Sequence, residues 1–198
     1  MGGSGGMMMG AGGSLATGGG GAGGGTGGSG GGVLCALTED FTTWPPPMWS
    51  IVDGGTTADT WEHCDPLLGS GCDEGEFTIA TGPFAAVNSD AAGIGPVLDE
   101  ELVTPTLDCS GASTVTLDFD HNYQYISADF GHVDVSTNGG GSWTTLASYE
   151  ADTSTNGEHV TLSLTTVAAG QPSVIIRFRY SGSYDWWWMV DSVVLTSN

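Results

Sequence analysis

Beyond Val33 the chain alternates apolar and polar residues with a period of two. Val115, Leu117 and Phe119 alternate with Thr114, Thr116, Asp118 and Asp120, and Val160, Leu162 and Leu164 alternate with Thr161 and Ser163. Successive side chains of a strand point to opposite faces, so this spacing predicts strands with one face in a core and one in water. Within Ser173–Tyr180, the side chains of Val174, Ile176, Phe178 and Tyr180 share one face, which leaves Ile175, Arg177 and Arg179 on the other. The two arginines therefore point the same way, and in an acidic chain they are expected to pair with carboxylates across a sheet. No stretch of this region carries a helical period.

Turn residues punctuate the pattern. Val133 and Val135 lead into Ser136-Thr137-Asn138-Gly139-Gly140-Gly141-Ser142-Trp143, where Asn138-Gly139 predicts the positive φ angles of a tight hairpin. Pro45, Pro46 and Pro47 remove three ladder donors and predict a loop or an edge connection. Many short strands between such breaks predict an all-β fold: a two-sheet antiparallel β-sandwich of the jelly-roll kind.

Composition divides the chain in two. Nineteen of its thirty-five glycines fall in residues 1–32, a stretch without charge, and sixteen in the remaining 166 residues. The first segment has almost nothing to bury, and glycine loses the most freedom on ordering, so a flexible linker is expected; an extended arm packed in an assembly is the alternative. Residues 33–198 suffice for one core. Met7, Met8 and Met9 make too short an apolar run, without a basic flank, for an export signal, although one removed from upstream is compatible with the sequence.

Two basic residues against twenty-three acidic ones give a formal net charge of −21. Nucleic acid is excluded as a partner, because binding its backbone needs Lys and Arg to displace counterions. The same field repels anionic membranes and attracts cations. No apolar run approaches the roughly 18 residues of a transmembrane helix, so no membrane insertion is expected.

Four cysteines allow three pairings. The loop from Cys64 to Cys72, with Pro66, Gly69 and Gly71 inside it, is the easiest to bridge, which leaves Cys35 with Cys109. Bridges imply an oxidising, extracellular compartment. A zinc site at His63, Cys64 and Cys72 is the weaker reading, since it lacks a CxxC or a second His at ligand spacing.

Four further elements follow in order. They are Glu39-Asp40-Phe41 followed by Trp49; Asp99-Glu100-Glu101-Leu102-Val103-Thr104-Pro105; Val133 to Trp143 around Ser136-Thr137-Asn138-Gly139-Gly140; and Trp188-Met189-Val190-Asp191-Ser192-Val193. Together they resemble the bacterial secreted domains grouped as cleaved-adhesin, choice-of-anchor J and MAM-like modules, with Asn138 and Ser192 standing where that family usually has Asp. The resemblance implies a jelly-roll β-sandwich that is a non-catalytic extracellular adhesion or interaction module holding structural calcium. Its partners would be a protein or glycan at a cell surface, or copies of itself. Calcium takes six to eight oxygens brought together from separate loops. Glu39, Asp40, Asn88, Asp90 and Asp191 are the candidate ligands, with Asn88 and Asp90 equally suited to a simple Asx turn.

Tyr184-Asp185-Trp186-Trp187-Trp188 cannot place all three indoles in one core. Alternation favours Trp186 and Trp188 inside with Trp187 at an edge. An outward Trp186 or Trp187 would supply a flat apolar face for a sugar ring, which makes a carbohydrate-binding module the first alternative function. A structural subunit of an extracellular fibre or layer, built through residues 1–32, is the second. No catalytic residues are assigned: the sequence holds no G-x-S-x-G elbow, no H-E-x-x-H and no lysine, and His63, His121, His132 and His159 are scattered.

Overall fold

The computed structural model describes residues 33–66, 77–154 and 156–198. The reading of residues 1–32 as linker or arm lies outside them. Among the described residues the first strands are β1 (Val33–Leu34), β2 (Leu37–Glu39), β3 (Ser50–Asp53), β4 (Glu62–Cys64), β5 (Phe84–Asn88) and β6 (Leu98–Val103). There follow β7 (Leu107–Asp108), β8 (Val115–Tyr123), β9 (Phe130–Ser136), β10 (Thr144–Tyr149) and β11 (Glu158–Ser163). A single helical turn, α1 (Thr165–Ala168), precedes β12 (Ile175–Gly182) and β13 (Trp187–Ser197).

These strands form two antiparallel sheets, as the alternation predicts. One has five strands in the order β10-β9-β12-β6-β3. The other has six, in the order β11-β8-β13-β5-β4, with β2 also paired to β13. β1 and β7 add a short parallel pair. Among the described residues no helix is long and apolar enough to cross a membrane.

The core lies between the sheets. Phe119, Tyr123 and Trp188 come from the larger sheet and Val133, Phe178 and Tyr180 from the smaller, all fully buried. Phe119 meets Phe178 edge-on with ring centroids 5.2 Å apart, and Phe178 meets Trp188 likewise at 5.8 Å. Each such side chain contributes about 1.5–3 kcal/mol by leaving water. The close approach requires glycine at 131, where a Cβ would lie 3.0 Å from the Trp188 ring.

On the outer face of β12 the arginines pair as expected. Arg177 bonds Glu101 and Asp134 and lies 4.2 Å from the Trp143 ring centroid, while Arg179 makes a fork to both oxygens of Asp99. The β9–β10 hairpin forms, but with a different device from the one Asn138-Gly139 suggests. Positive φ falls at Gly139 (72°) and Gly140 (86°), while Asn138 Oδ1 accepts the Ser142 N–H at 2.9 Å. Asn138 thus braces a longer loop with its side chain instead of turning the backbone itself.

Cys35 and Cys109 form a disulfide across 74 residues. Cys64 is also disulfide-bonded, so it offers no thiolate to zinc. The pairing expected for it, with Cys72, lies outside the described residues.

Candidate functional site

Two separate places receive the residues singled out in the sequence. The first is an interruption in the sheet at Asp191. On one side of β13, β5 pairs with Trp187–Val190 and β2 takes over at Val193, so Asp191 and Ser192 stand between two partner strands. On the other side β13 bulges after Asp191, which faces Asp120 in register. Ser192 absorbs the extra residue with φ 52°, and Phe41, just beyond β2, has φ 54°. Both lie in the left-handed region that L-residues rarely occupy.

Trp188 and Val190 point into the core, so alternation turns Asp191 to the outer face of the sheet, where it is nonetheless only 3% exposed. Its Oδ1 has no hydrogen-bond partner. Burial first, and then the nearby charges of Asp120 and Asp40, push its carboxyl up to about 6. Glu39 is shifted in the same direction, by burial and then by Asp40, while its Oε1 accepts the Phe41 N–H at 2.9 Å. Asp40 is held below its usual range by the N–H and hydroxyl of Thr42. The charges of Asp120 and Asp40 therefore bear on Asp191, while Glu39 lies beside Asp40 and pairs with the core residue Val193. Among the described residues, however, no three of Asp, Glu, His and Cys stand close enough to make a metal cage on their own.

Asn88 and Asp90 do not belong to this group. Asn88 faces Trp187, four residues before Asp191 on β13, a separation of about 13 Å at the strand rise of roughly 3.3 Å per residue. Register separates the five candidates into two sets. Asn88 Oδ1 accepts the N–H groups of Asp90 (2.9 Å) and Ala91 (3.1 Å), which is the Asx turn.

That turn belongs to the second place, a tip made of residues 89–97, 124–129 and 183–186. Ser89 Oγ accepts the Asp185 N–H at 3.0 Å, Ser183 Oγ donates to the Pro96 carbonyl at 2.6 Å, and Ser127 Oγ donates to Asp185 Oδ1 at 3.2 Å. The three loops are stitched together and present Ile94, Val97, Ile126, Tyr184 and Trp186 to solvent. Trp188 is buried as alternation predicts, but Trp186 is 36% exposed because it precedes the strand and is not held to its alternation. Trp187 packs on the outer face against the cluster containing Phe84 and Met189, and meets Trp186 edge-on at 4.9 Å. Beside the tip, a pocket of about 240 Å³ opens between the Ala58–Glu62 segment, Asn88 and Ala91.

The histidines serve local structure. His63 stacks under Trp44 and contacts the Phe41 carbonyl at 3.0 Å, His132 stacks on Phe130, and His159 lies 2.7 Å from Asp120. His121 is buried in the core. Sequence reasoning missed Asp120. Asp120 sat on a recognised strand face, but only register makes it a neighbour of Asp191.

No family model matches the chain, and no curated protein matches it in sequence. Its fold is that of the cleaved adhesin domains of Lys-gingipain from Porphyromonas gingivalis W83. The K1 domain is 18% identical with a TM-score of 0.61, and the K3 domain 21% identical with 0.59. Each alignment covers 82% of this chain and 98% of that domain. The carbohydrate-binding module TmCBM61, solved with β-1,4-galactotriose, is 11% identical with a TM-score of 0.51 over 76% of this chain and 88% of that one.

Proposed function

We propose that this chain is a non-catalytic extracellular binding module that engages a protein or glycan through its tip. The observation that carries the reading is the apolar rim of Ile94, Val97, Ile126, Tyr184 and Trp186 on three loops fastened to one another. Large apolar side chains gathered on stitched loops form a prepared contact surface, since the loops are ordered before any partner arrives. The fold shared with adhesin domains and a galactotriose-binding module supports it. The indole of Trp186 and ring of Tyr184 suit a sugar face or an apolar protein surface alike. The test is retention on a panel of immobilised polysaccharides and cell-surface proteins, comparing the wild type with Trp186→Ala.

A second element of the proposal is structural calcium at the sheet interruption. Asp191 carries a buried carboxylate oxygen with no partner, beside Asp120 and Asp40, and this is what a cation would relieve. Asp191 and a neighbouring carboxylate, Asp120 or Asp40, would hold it together with backbone carbonyls and water, and the ion would supply charge compensation where β2 takes over from β5. Asn88 and Asp90 have no part in it.

A further inference from the structure

The setting of the rim selects among the partners open to it. Ile94, Val97 and Ile126 are branched aliphatics, which have no flat face to lay on a sugar ring, and the rings of Tyr184 and Trp186 stand among them. The serine hydroxyls that could bond those of a sugar are engaged within the tip: Ser89 with Asp185 and Tyr180, Ser127 with Asp185, and Ser183 with the Pro96 carbonyl. A glycan site needs polar groups aimed at its ligand, and these are aimed inward.

Charge narrows the class further. No Lys or Arg lies in the tip, because the chain's two arginines are on β12, paired with Glu101, Asp134 and Asp99. Acids stand beside two of the three loops. Asp152 is exposed and accepts the Tyr125 N–H at 2.7 Å, one residue from Ile126. Asp90, half-exposed, lies in the loop that carries Ile94. The pocket of about 240 Å³ adjoins that same loop at Ala91, and the exposed acids Asp59 and Glu62 line it together with Asn88 and Ala58. An anion is repelled from such a place. A Lys or Arg side chain can lay its apolar stem along the two alanines and set its charged head by the carboxylates. The ring faces of Tyr184 and Trp186 attract the same cations.

We propose that, given the tip as the contact surface, its partner is a protein whose contact face is apolar at the centre and carries Lys or Arg at the margin, with one basic side chain entering the pocket lined by Asp59 and Glu62. Acidic polysaccharides and anionic lipid meet the field of a chain of net charge −21, and a second copy of this chain carries the same acids. The apolar rim sets how long the partner stays. The acids set how fast it arrives, since exposed charges steer association more than they add to affinity.

The immobilised probes are two amphipathic helical peptides that share a leucine face, with lysine on the polar face of one and glutamate on that of the other, a neutral β-1,4-galactan and polygalacturonate. Association and release are followed for the full chain, for Trp186→Ala, for the pair Asp59→Asn and Glu62→Gln, and for the pair Asp108→Asn and Asp118→Asn, which removes two charges outside the tip. The lysine peptide is expected to hold the wild type at least tenfold more tightly than the other three probes do. Trp186→Ala should speed release from it at least tenfold. The Asp59 and Glu62 pair should slow association at least threefold and weaken its dependence on salt, while the Asp108 and Asp118 pair should leave both within twofold. No retention on the lysine peptide, or an equal effect of the two pairs, overturns the proposal. Tighter retention on the galactan that is lost in Trp186→Ala also overturns it, and keeps the tip as the contact surface. Retention on the lysine peptide undiminished in Trp186→Ala overturns the tip reading itself. Sedimentation of the wild type as a dimer that Trp186→Ala returns to monomer assigns the rim to a second copy and overturns the proposal.

Discussion

Trp188 Nε1 donates to His121 Nδ1 at 3.2 Å inside the core, where both side chains are fully buried. The bond fixes the histidine as the neutral tautomer with its proton on Nε2, which faces Glu158 at 3.2 Å. Burial lowers the His121 pKa to about 4, against the opposing pull of Glu158. The unfolded chain therefore binds the proton more readily than the folded one, and His121 costs stability as pH falls from about 6.5 toward 4. In His121→Gln that loss is absent. The melting-temperature advantage of the wild type is expected to be largest near pH 7 and to shrink steadily toward pH 4.5; a constant difference would show that His121 does not titrate in this way.

Asp191 acts with the opposite sign. Its folded pKa is raised to about 6, so without metal its contribution is most favourable at low pH and is lost as pH rises through that value. In chelator at pH 7, Asp191→Asn is expected to melt above the wild type, because it removes a buried charge beside Asp120 and Asp40. In excess calcium the order should reverse. Equal calcium-induced shifts in the two proteins would remove Asp191 from any calcium site.

The two arginines should separate in a denaturant titration. Asp134 is buried, and its carboxylate is satisfied by Arg177 Nε (2.8 Å) and Thr145 Oγ1 (2.7 Å). Arg177→Met strands that charge and is expected to cost about 3 kcal/mol. Arg179 pairs with the more exposed Asp99, and Arg179→Met should cost at most about 1 kcal/mol. Similar losses for both would contradict this ranking.

The Cys35–Cys109 bridge closes a loop with a sequence separation of 74. Replacing both cysteines by serine is expected to lower stability by about 4 kcal/mol in the chain-entropy model. Urea unfolding of the double variant measures this directly, and a midpoint unchanged from the wild type would mean that the bridge adds nothing.

The sandwich was legible because its strands obey a strict period. Val115–Phe119 and Val174–Tyr180 have one sensible face each, and the structure buries that face. The local device of the 138–142 loop was less legible, since Asn138 serves a turn with its side chain as well as with its backbone. Sites were least legible of all. Asp120 and Asp191 are distant in sequence and become neighbours only through the β8–β13 register, which no local pattern encodes. The same register parts Asn88 from Asp191 although both are acceptor residues beside β13. Trp186 was misread because alternation applies only inside a strand, and the strand begins one residue later.

Retention of the wild type and of Trp186→Ala on the same immobilised polysaccharides and cell-surface proteins tests the contact role of the tip most directly, with Trp143→Ala as the control on the outer face of the five-stranded sheet. The expected outcome is that the wild type is held by at least one surface, that Trp186→Ala is held at least tenfold more weakly with an unchanged melting temperature, and that Trp143→Ala is held as well as the wild type. Retention undiminished in Trp186→Ala, or no retention of the wild type on any surface, would contradict it.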